Sequence, residues 1–235
     1  DLMEIKDLSM IDLALFARLA ENEYIGMSSG IMDPFAIAMG KKDHAILLDT
    51  SDLSYEYAPL ELPHQKIIVT NSQKARLAVD ERYHDLQTVI AIQNLSELTA
   101  DVFEQVQEMI RRPVCLRRAR HAVTENQRTI QAVEALNKGD IREFGQLMNA
   151  SHLSLKEDFE VSCEELDILV EEAWEIEGVL GSRMMGAGFG GCTISIVEND
   201  AVNEFVSRVG SHYKERTGRT AEFYIMETGN GASEV

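Results

Sequence analysis

From residue 76 to residue 177 the chain carries one proline, Pro113, and two glycines, Gly139 and Gly145. So few breakers over so long a stretch, together with apolar residues at helical spacing, predict roughly four or five helices there. Pro113 separates two of them, Asn137-Lys138-Gly139-Asp140 reads as a C-cap followed by an N-cap, and Val161-Ser162-Cys163-Glu164-Glu165 offers a capping box. Strand-like runs stand on both sides: His44 to Asp49, Leu53 to Leu60 and Lys66 to Thr70 before it, then Gly181 to Met185, Cys192 to Val197 and Ala221 to Met226 after it. One more helix is expected over about 200–216. Strands interleaved with helices place the chain in the α/β or α+β class.

The first residues are helical in pattern as well. Ser9 is a candidate N-cap, and Leu15, Leu19 and Asn22 share one row. A helical pattern that begins almost at residue 1 leads us to expect further chain upstream. Ser28-Ser29-Gly30 reads as the turn that ends this helix, and Asp33-Pro34 as the N-cap and first residue of the next. The tail from Gly229 to Val235 reads as a loop or an unfinished end.

Composition narrows the partners. A chain of 235 residues builds a sizeable core without staples. Its 22 Lys and Arg against 40 Asp and Glu give a net charge of −18, which repels nucleic-acid phosphates and anionic lipid alike. Cys115, Cys163 and Cys192 are odd in number and lack CxxC spacing, so neither a disulfide framework nor a zinc site is indicated. No apolar run reaches the roughly 20 residues of a membrane span. These features predict a soluble cytoplasmic protein, with neither nucleic acid nor membrane as partner.

Gly186-Ala187-Gly188-Phe189-Gly190-Gly191 formally satisfies G-x-G-x-x-G. A dinucleotide fold needs a helix to follow that loop and an acidic residue about 20 positions on; here a strand follows, and residue 211 is Ser. A protein-kinase loop fails for want of the V-A-I-K lysine. What remains is a backbone able to take positive φ and to bring N–H groups close to a ligand or to another strand, and these two uses stand even. Asp33 at a helix start reads as a cap or as a base poised by the helix dipole, with the cap the commoner use. Tyr83, Arg120, His121, Glu125 and His152 read as surface or core partners.

Together the pieces form an ordered series: Ser29-Gly-Ile-Met-Asp33; Thr70-Asn-Ser72 leading to Tyr83; Arg118-Ala-Arg-His121 with Thr124-Glu-Asn126; Gly145 to His152; Asp158 to Cys163 with Glu165-Leu-Asp167; and Ser182 to Thr193. In this series the chain resembles the galactokinases of the GHMP sugar-kinase family over nearly its whole length. The resemblance implies an α+β, GHMP-kinase-like fold in which residues 1–62 end the N-terminal lobe and 63–235 form a C-terminal lobe of β-sheet covered by helices. It implies transfer of the ATP γ-phosphate to the anomeric hydroxyl of α-D-galactose, with sugar and ATP as small-molecule partners. By the same resemblance Asp33 is the catalytic base, Gly30, Asp33 and Tyr83 contact the sugar, and Gly186, Gly188, Gly190 and Gly191 shape the phosphate and sugar pocket. Mg²⁺ is implied too, its ligands mainly in family motifs absent from this sequence, so the chain is expected to be a C-terminal piece inactive alone.

The sequence also departs from the family. Ser29 replaces a Cys, Pro34 a Gln and Met185 a Thr, and an Arg pair is absent after Tyr83. Pro34 is expected to hold Asp33 in extended backbone. Because these departures bear on sugar choice, a kinase for N-acetylgalactosamine or arabinose, and a non-catalytic regulator responding to galactose and ATP, stand as alternatives.

Overall fold

A computed structural model describes residues 8–26, 29–75 and 98–233. They fall into two compact units, one drawn from residues 1–62 and 228–235 and the other from residues 63–227.

In the first unit α1 (Met10–Leu19) is capped by Ser9, whose hydroxyl accepts the Asp12 N–H while the Asp12 carboxylate accepts the Ser9 N–H at 2.9 Å. The helix runs on through a wider turn, Ala20–Ile25, and ends at Gly26 with φ 77°, four residues before the glycine expected to end it. α2 (Met32–Met39) packs Ile31 and Phe35 against Ala14. β1 (His44–Leu48) and β2 (Tyr55–Pro59) pair antiparallel. The tail groups with this unit, whereas the resemblance implied a C-terminal lobe running from 63 to 235. Gly231 and Ala232 donate to the Gly40 and Ile37 carbonyls at 2.7 and 2.8 Å, satisfying groups that the end of α2 leaves open.

The second unit is built on a four-stranded antiparallel sheet of β3 (Gln65–Asn71), β4 (Val179–Met184), β5 (Cys192–Glu198) and β6 (Glu222–Met226), in the order β4-β5-β3-β6. Every pairing is antiparallel, so the class is α+β. The helices are α3 (Ala100–Val106), α4 (Pro113–Asn137), α5 (Ile141–Glu157), α6 (Glu164–Trp174) and α7 (Val202–Thr217). Pro113 takes the first position of α4, and Asp140 caps α5 by accepting the Glu143 N–H at 2.9 Å.

The main core buries Ile68 and Val197 of the sheet among Ile168 and Leu169 of α6 and Phe205, Val209 and Tyr213 of α7. Where α5 crosses β4 the two backbones touch: a Cβ on Gly145 would lie 2.2 Å from the Leu180 carbonyl oxygen, so only glycine fits. The expected capping box before α6 does not form. Cys163 is the N-cap without a side-chain bond, Ser162 donates instead to Asp167 at 2.5 Å, and Glu165 is drawn away to Lys74.

Candidate active site

In the first unit the segment leading into α2 is fixed from behind. Asn22 holds Ser29 by accepting its N–H and hydroxyl at 2.8 and 2.9 Å and donating to its carbonyl at 3.3 Å. Ile31, Pro34 and Phe35 are buried, and the Phe35 ring meets Tyr55 edge-on at 5.4 Å. Asp33 and Met32 are left exposed.

Asp33 is not the cap. It is the second residue of α2, and the N-cap is Ile31, which makes no side-chain cap bond. Pro34 therefore does not hold Asp33 in extended backbone; it occupies the third helical position, where its missing N–H costs nothing because the first turn has no partner for that group. Burial of Ile31 and Phe35, one turn apart and joined by the Phe35 N–H to Ile31 carbonyl bond of 2.9 Å, places the helix start earlier than the Asp-Pro pair suggested. Among the described residues the Asp33 carboxylate has no hydrogen-bond or ion-pair partner. It is an exposed carboxylate in the first turn of a helix, where the dipole favours its charge. Gly30 is exposed, and a Cβ there would meet nothing within 4 Å, so packing does not demand glycine at this position.

In the second unit the loop from Gly186 to Gly191 joins β4 to β5. Gly186, Gly188, Phe189, Gly190 and Gly191 all take positive φ, from 57° at Phe189 to 136° at Gly190. Its base is pinned through backbone. Phe189 donates to the Val161 carbonyl at 2.8 Å, Gly191 donates to the Lys74 carbonyl at 3.2 Å, and the Gly191 carbonyl accepts both the N–H and the hydroxyl of Ser72, at 2.9 and 2.7 Å. A Cβ on Gly188 would stand 2.1 Å from the Val161 oxygen, and one on Gly190 2.7 Å from the Lys74 oxygen. The packed-turn reading is therefore correct for the base of the loop. At its exposed tip the N–H groups of Gly186 and Ala187 have no partner among the described residues, and this is the part able to receive an anionic oxygen.

Tyr83 lies outside the described residues. The other titratable candidates are occupied structurally. His121 is buried, stacks on Phe159 at 4.6 Å and meets the Ser154 hydroxyl at 3.0 Å; burial pushes its pKa down. Glu125 binds Arg128 and Ser151, Arg120 lies 3.6 Å from Asp158, and His152, with Nδ1 accepting the Met184 N–H at 3.3 Å, is 1% exposed. Of the departures from the family pattern, Ser29 is the residue Asn22 holds, and Met185 closes the end of β4 through its N–H to the Cys192 carbonyl at 3.0 Å. Among the described residues no three His, Cys, Asp or Glu side chains converge on a metal position.

Sequence reasoning gave no part in supporting the loop to Ser72, Val161 and Glu165, which stand in the ordered series, and did not single out Lys74. Burial of Glu165 would raise its pKa, but the Lys74 hydrogen bond and charge, its own backbone N–H and Cys163 together outweigh burial and hold the carboxyl below the ordinary glutamate value. The Glu165 hydrogen bond raises the Lys74 pKa in turn.

Residues 132–215 match the family described as GHMP kinases C terminal. The chain is 50% identical to a galactokinase of Fusobacterium nucleatum and 46% identical to one of Levilactobacillus brevis, each time over 97% of this chain and 62% of the relative. The chain thus spans about three-fifths of the length of the curated relatives it matches. The solved structure of Lactococcus lactis galactokinase complexed with galactose superposes with a TM-score of 0.90 at 41% identity, covering 97% of this chain and 62% of that one. The structure of L. major mevalonate kinase in complex with R-mevalonate has a TM-score of 0.64 at 23% identity over 97% of this chain and 60% of that one, and shows the fold alone. With its antiparallel α+β sheet, its glycine bend and alignments that reach over nearly its whole length, the chain is similar to galactokinases, and its residues 132–215 carry the match to the GHMP kinases C terminal family.

Proposed function

We propose that the protein carrying this chain is a galactokinase, moving the γ-phosphate of ATP to the anomeric hydroxyl of α-D-galactose to give galactose 1-phosphate. The observation that carries this reading is the likeness, at a TM-score of 0.90 and 41% identity, to a galactokinase solved with galactose bound. The Asp33 carboxylate, exposed and uncommitted among the described residues, has the chemistry of the base: it takes the proton of the sugar hydroxyl as that oxygen attacks the γ-phosphorus and ADP leaves. Phosphoryl transfer otherwise depends on positioning and on neutralising oxygen charge. The tip N–H groups of Gly186 and Ala187 suit the second need.

Gly30, in open space, lets a sugar approach the backbone closely, and Tyr83 is assigned a hydrogen bond to the sugar. ATP is the phosphate donor in this reading. Mg²⁺ is expected to arrive with the nucleotide, held largely by phosphate oxygens as magnesium commonly is. Among the described residues no helix is long and apolar enough to cross a membrane, and Cys115 and Cys163 are free thiols, which suits a reducing cytoplasm.

The test is phosphate transfer from ATP by the full-length protein on a panel of galactose, N-acetylgalactosamine, arabinose and glucose. Galactose as the preferred acceptor is the expected result. Preference for another sugar overturns the substrate, and binding without turnover overturns the enzyme.

A further inference from the structure

The glycine loop cannot hold its own shape. Five of its six residues sit at positive φ, and hydrogen bonds from its main chain fasten its base to Val161 on one side and to Ser72 and Lys74 on the other. The loop therefore takes whatever spacing these two anchors have.

The Ser72–Lys74 anchor is not ordinary strand. β3 ends at Asn71, and Gln73 then turns through φ 55°, its N–H donated to Asn71 Oδ1 at 3.0 Å. The segment is held from three directions. Tyr213 donates its hydroxyl to the Ser72 carbonyl at 2.5 Å, Arg219 donates to the Gln73 carbonyl at 3.2 Å, and Lys74 Nζ reaches Glu165 Oε2 at 2.6 Å. Arg219 Nε also lies 4.0 Å from Glu165 Oε1. Both cations that fasten the segment thus converge on one carboxylate. Glu165 stands in the first turn of α6, directly after the Val161 anchor.

We propose that Glu165 is a positioning residue for the glycine loop: through Lys74 and Arg219 it ties the Ser72–Lys74 anchor to the Val161 anchor, fixing the width of the loop and so the aim of its tip N–H groups. The Lys74 and Glu165 side chains are 26% and 16% exposed, so the tie is better shielded from solvent than a surface pair. Lys74 is also the residue whose carbonyl accepts Gly191 and bounds Gly190, so displacement of its side chain moves the loop directly. The kinetic part of this inference rests on the proposed sugar-kinase function; the structural part does not.

The test takes Glu165→Gln, Lys74→Met and the conservative Lys74→Arg in the full-length protein, following amide hydrogen exchange at Phe189 and Gly191 beside kcat and the KM for galactose. In Glu165→Gln and Lys74→Met the two amides should exchange about ten-fold faster, and kcat should fall about ten-fold with the galactose KM changed less than about two-fold. Lys74→Arg should keep most of both. Unchanged exchange in Glu165→Gln overturns the tie whatever the activity does, and faster exchange with unchanged kcat overturns its positioning role. Should the unsubstituted protein transfer no phosphate while Glu165→Gln still loosens these amides, the tie stands and the sugar-kinase reading falls. Lys74→Met reads the same pair from its other end if Glu165→Gln does not fold.

Discussion

The start of α2 and the glycine loop give their functional groups opposite treatments. Asp33 is exposed and carries no structural duty that the described residues reveal, while its neighbours Ile31, Pro34 and Phe35 do the packing. In the loop, Gly186 and Ala187, which would present N–H groups, lie on the same short bend as Phe189 and Gly191, whose main chain is fastened to Val161, Ser72 and Lys74. A side chain that reacts is kept free by giving its anchoring to the residues around it. A backbone that reacts must carry its own anchoring, because it has no side chain to spare. Substitution should therefore separate activity from stability in the first region and couple them in the second.

Gly188→Val is the harshest challenge to the coupled region. Its Cβ would stand 2.1 Å from a carbonyl oxygen at φ 84°, so unfolding of the second unit should ease by more than about 3 kcal/mol, with activity lost alongside. Thermal melting and phosphate transfer measured together check this. Unchanged melting would show the loop to be less constrained than its contacts indicate.

Phe35→Ala attacks the packing that frees Asp33. Emptying a ring 1% exposed should cost about 3–5 kcal/mol in the first unit, read as a lower melting transition, while protection of the Phe189 and Gly191 amides is retained.

Gly30→Ala separates the two kinds of glycine. With nothing within 4 Å of the new methyl, melting should stay within about 0.5 kcal/mol of the parent, while the galactose KM rises several-fold if the sugar approaches that backbone. A lowered melting point would give Gly30 a structural role after all.

The smallest effect is the response of the second unit to acid. Because Glu165 has a lowered pKa in the folded state, its contribution is complete above the unfolded glutamate value of about 4.3 and is lost as pH falls through the lower folded value. Urea titrations from pH 6 down to pH 3 should show Glu165→Gln losing less stability than the parent over that range, by about 1 kcal/mol or less. A parallel decline in the two proteins would contradict this.

Much of the fold was readable from residue pattern. The breaker-poor stretch does hold α3 to α6, and the strand runs around it match β1 to β6 to within a few residues. Local chemistry was read well where it closed on itself, as at the N-caps Ser9 and Asp140. It was misread where burial competed. Asp33-Pro34 has the look of a cap and first turn, but Ile31 and Phe35 had to face the core together and drew the helix start back. Ser162 and Glu165 have the spacing of a capping box, but each found a stronger partner, Asp167 and Lys74.

Of the candidate site, the glycines and Asp33 were visible because their residue types are unusual in place. The tie between Lys74 and Glu165 was not, since 91 residues separate its members and no spacing rule relates them. The anchor Val161 acts through its main-chain carbonyl, a group that every residue possesses, and Ser72 adds only a hydroxyl to its own main-chain bond.

The central claim is that Asp33 is a base rather than a structural residue, and Asp33→Asn in the full-length protein tests it most directly. Amide for carboxylate keeps the shape and removes the proton acceptor. Galactose phosphorylation should fall about 10²–10⁴-fold, with the melting temperature of the parent retained; turnover near that of the parent would contradict the account.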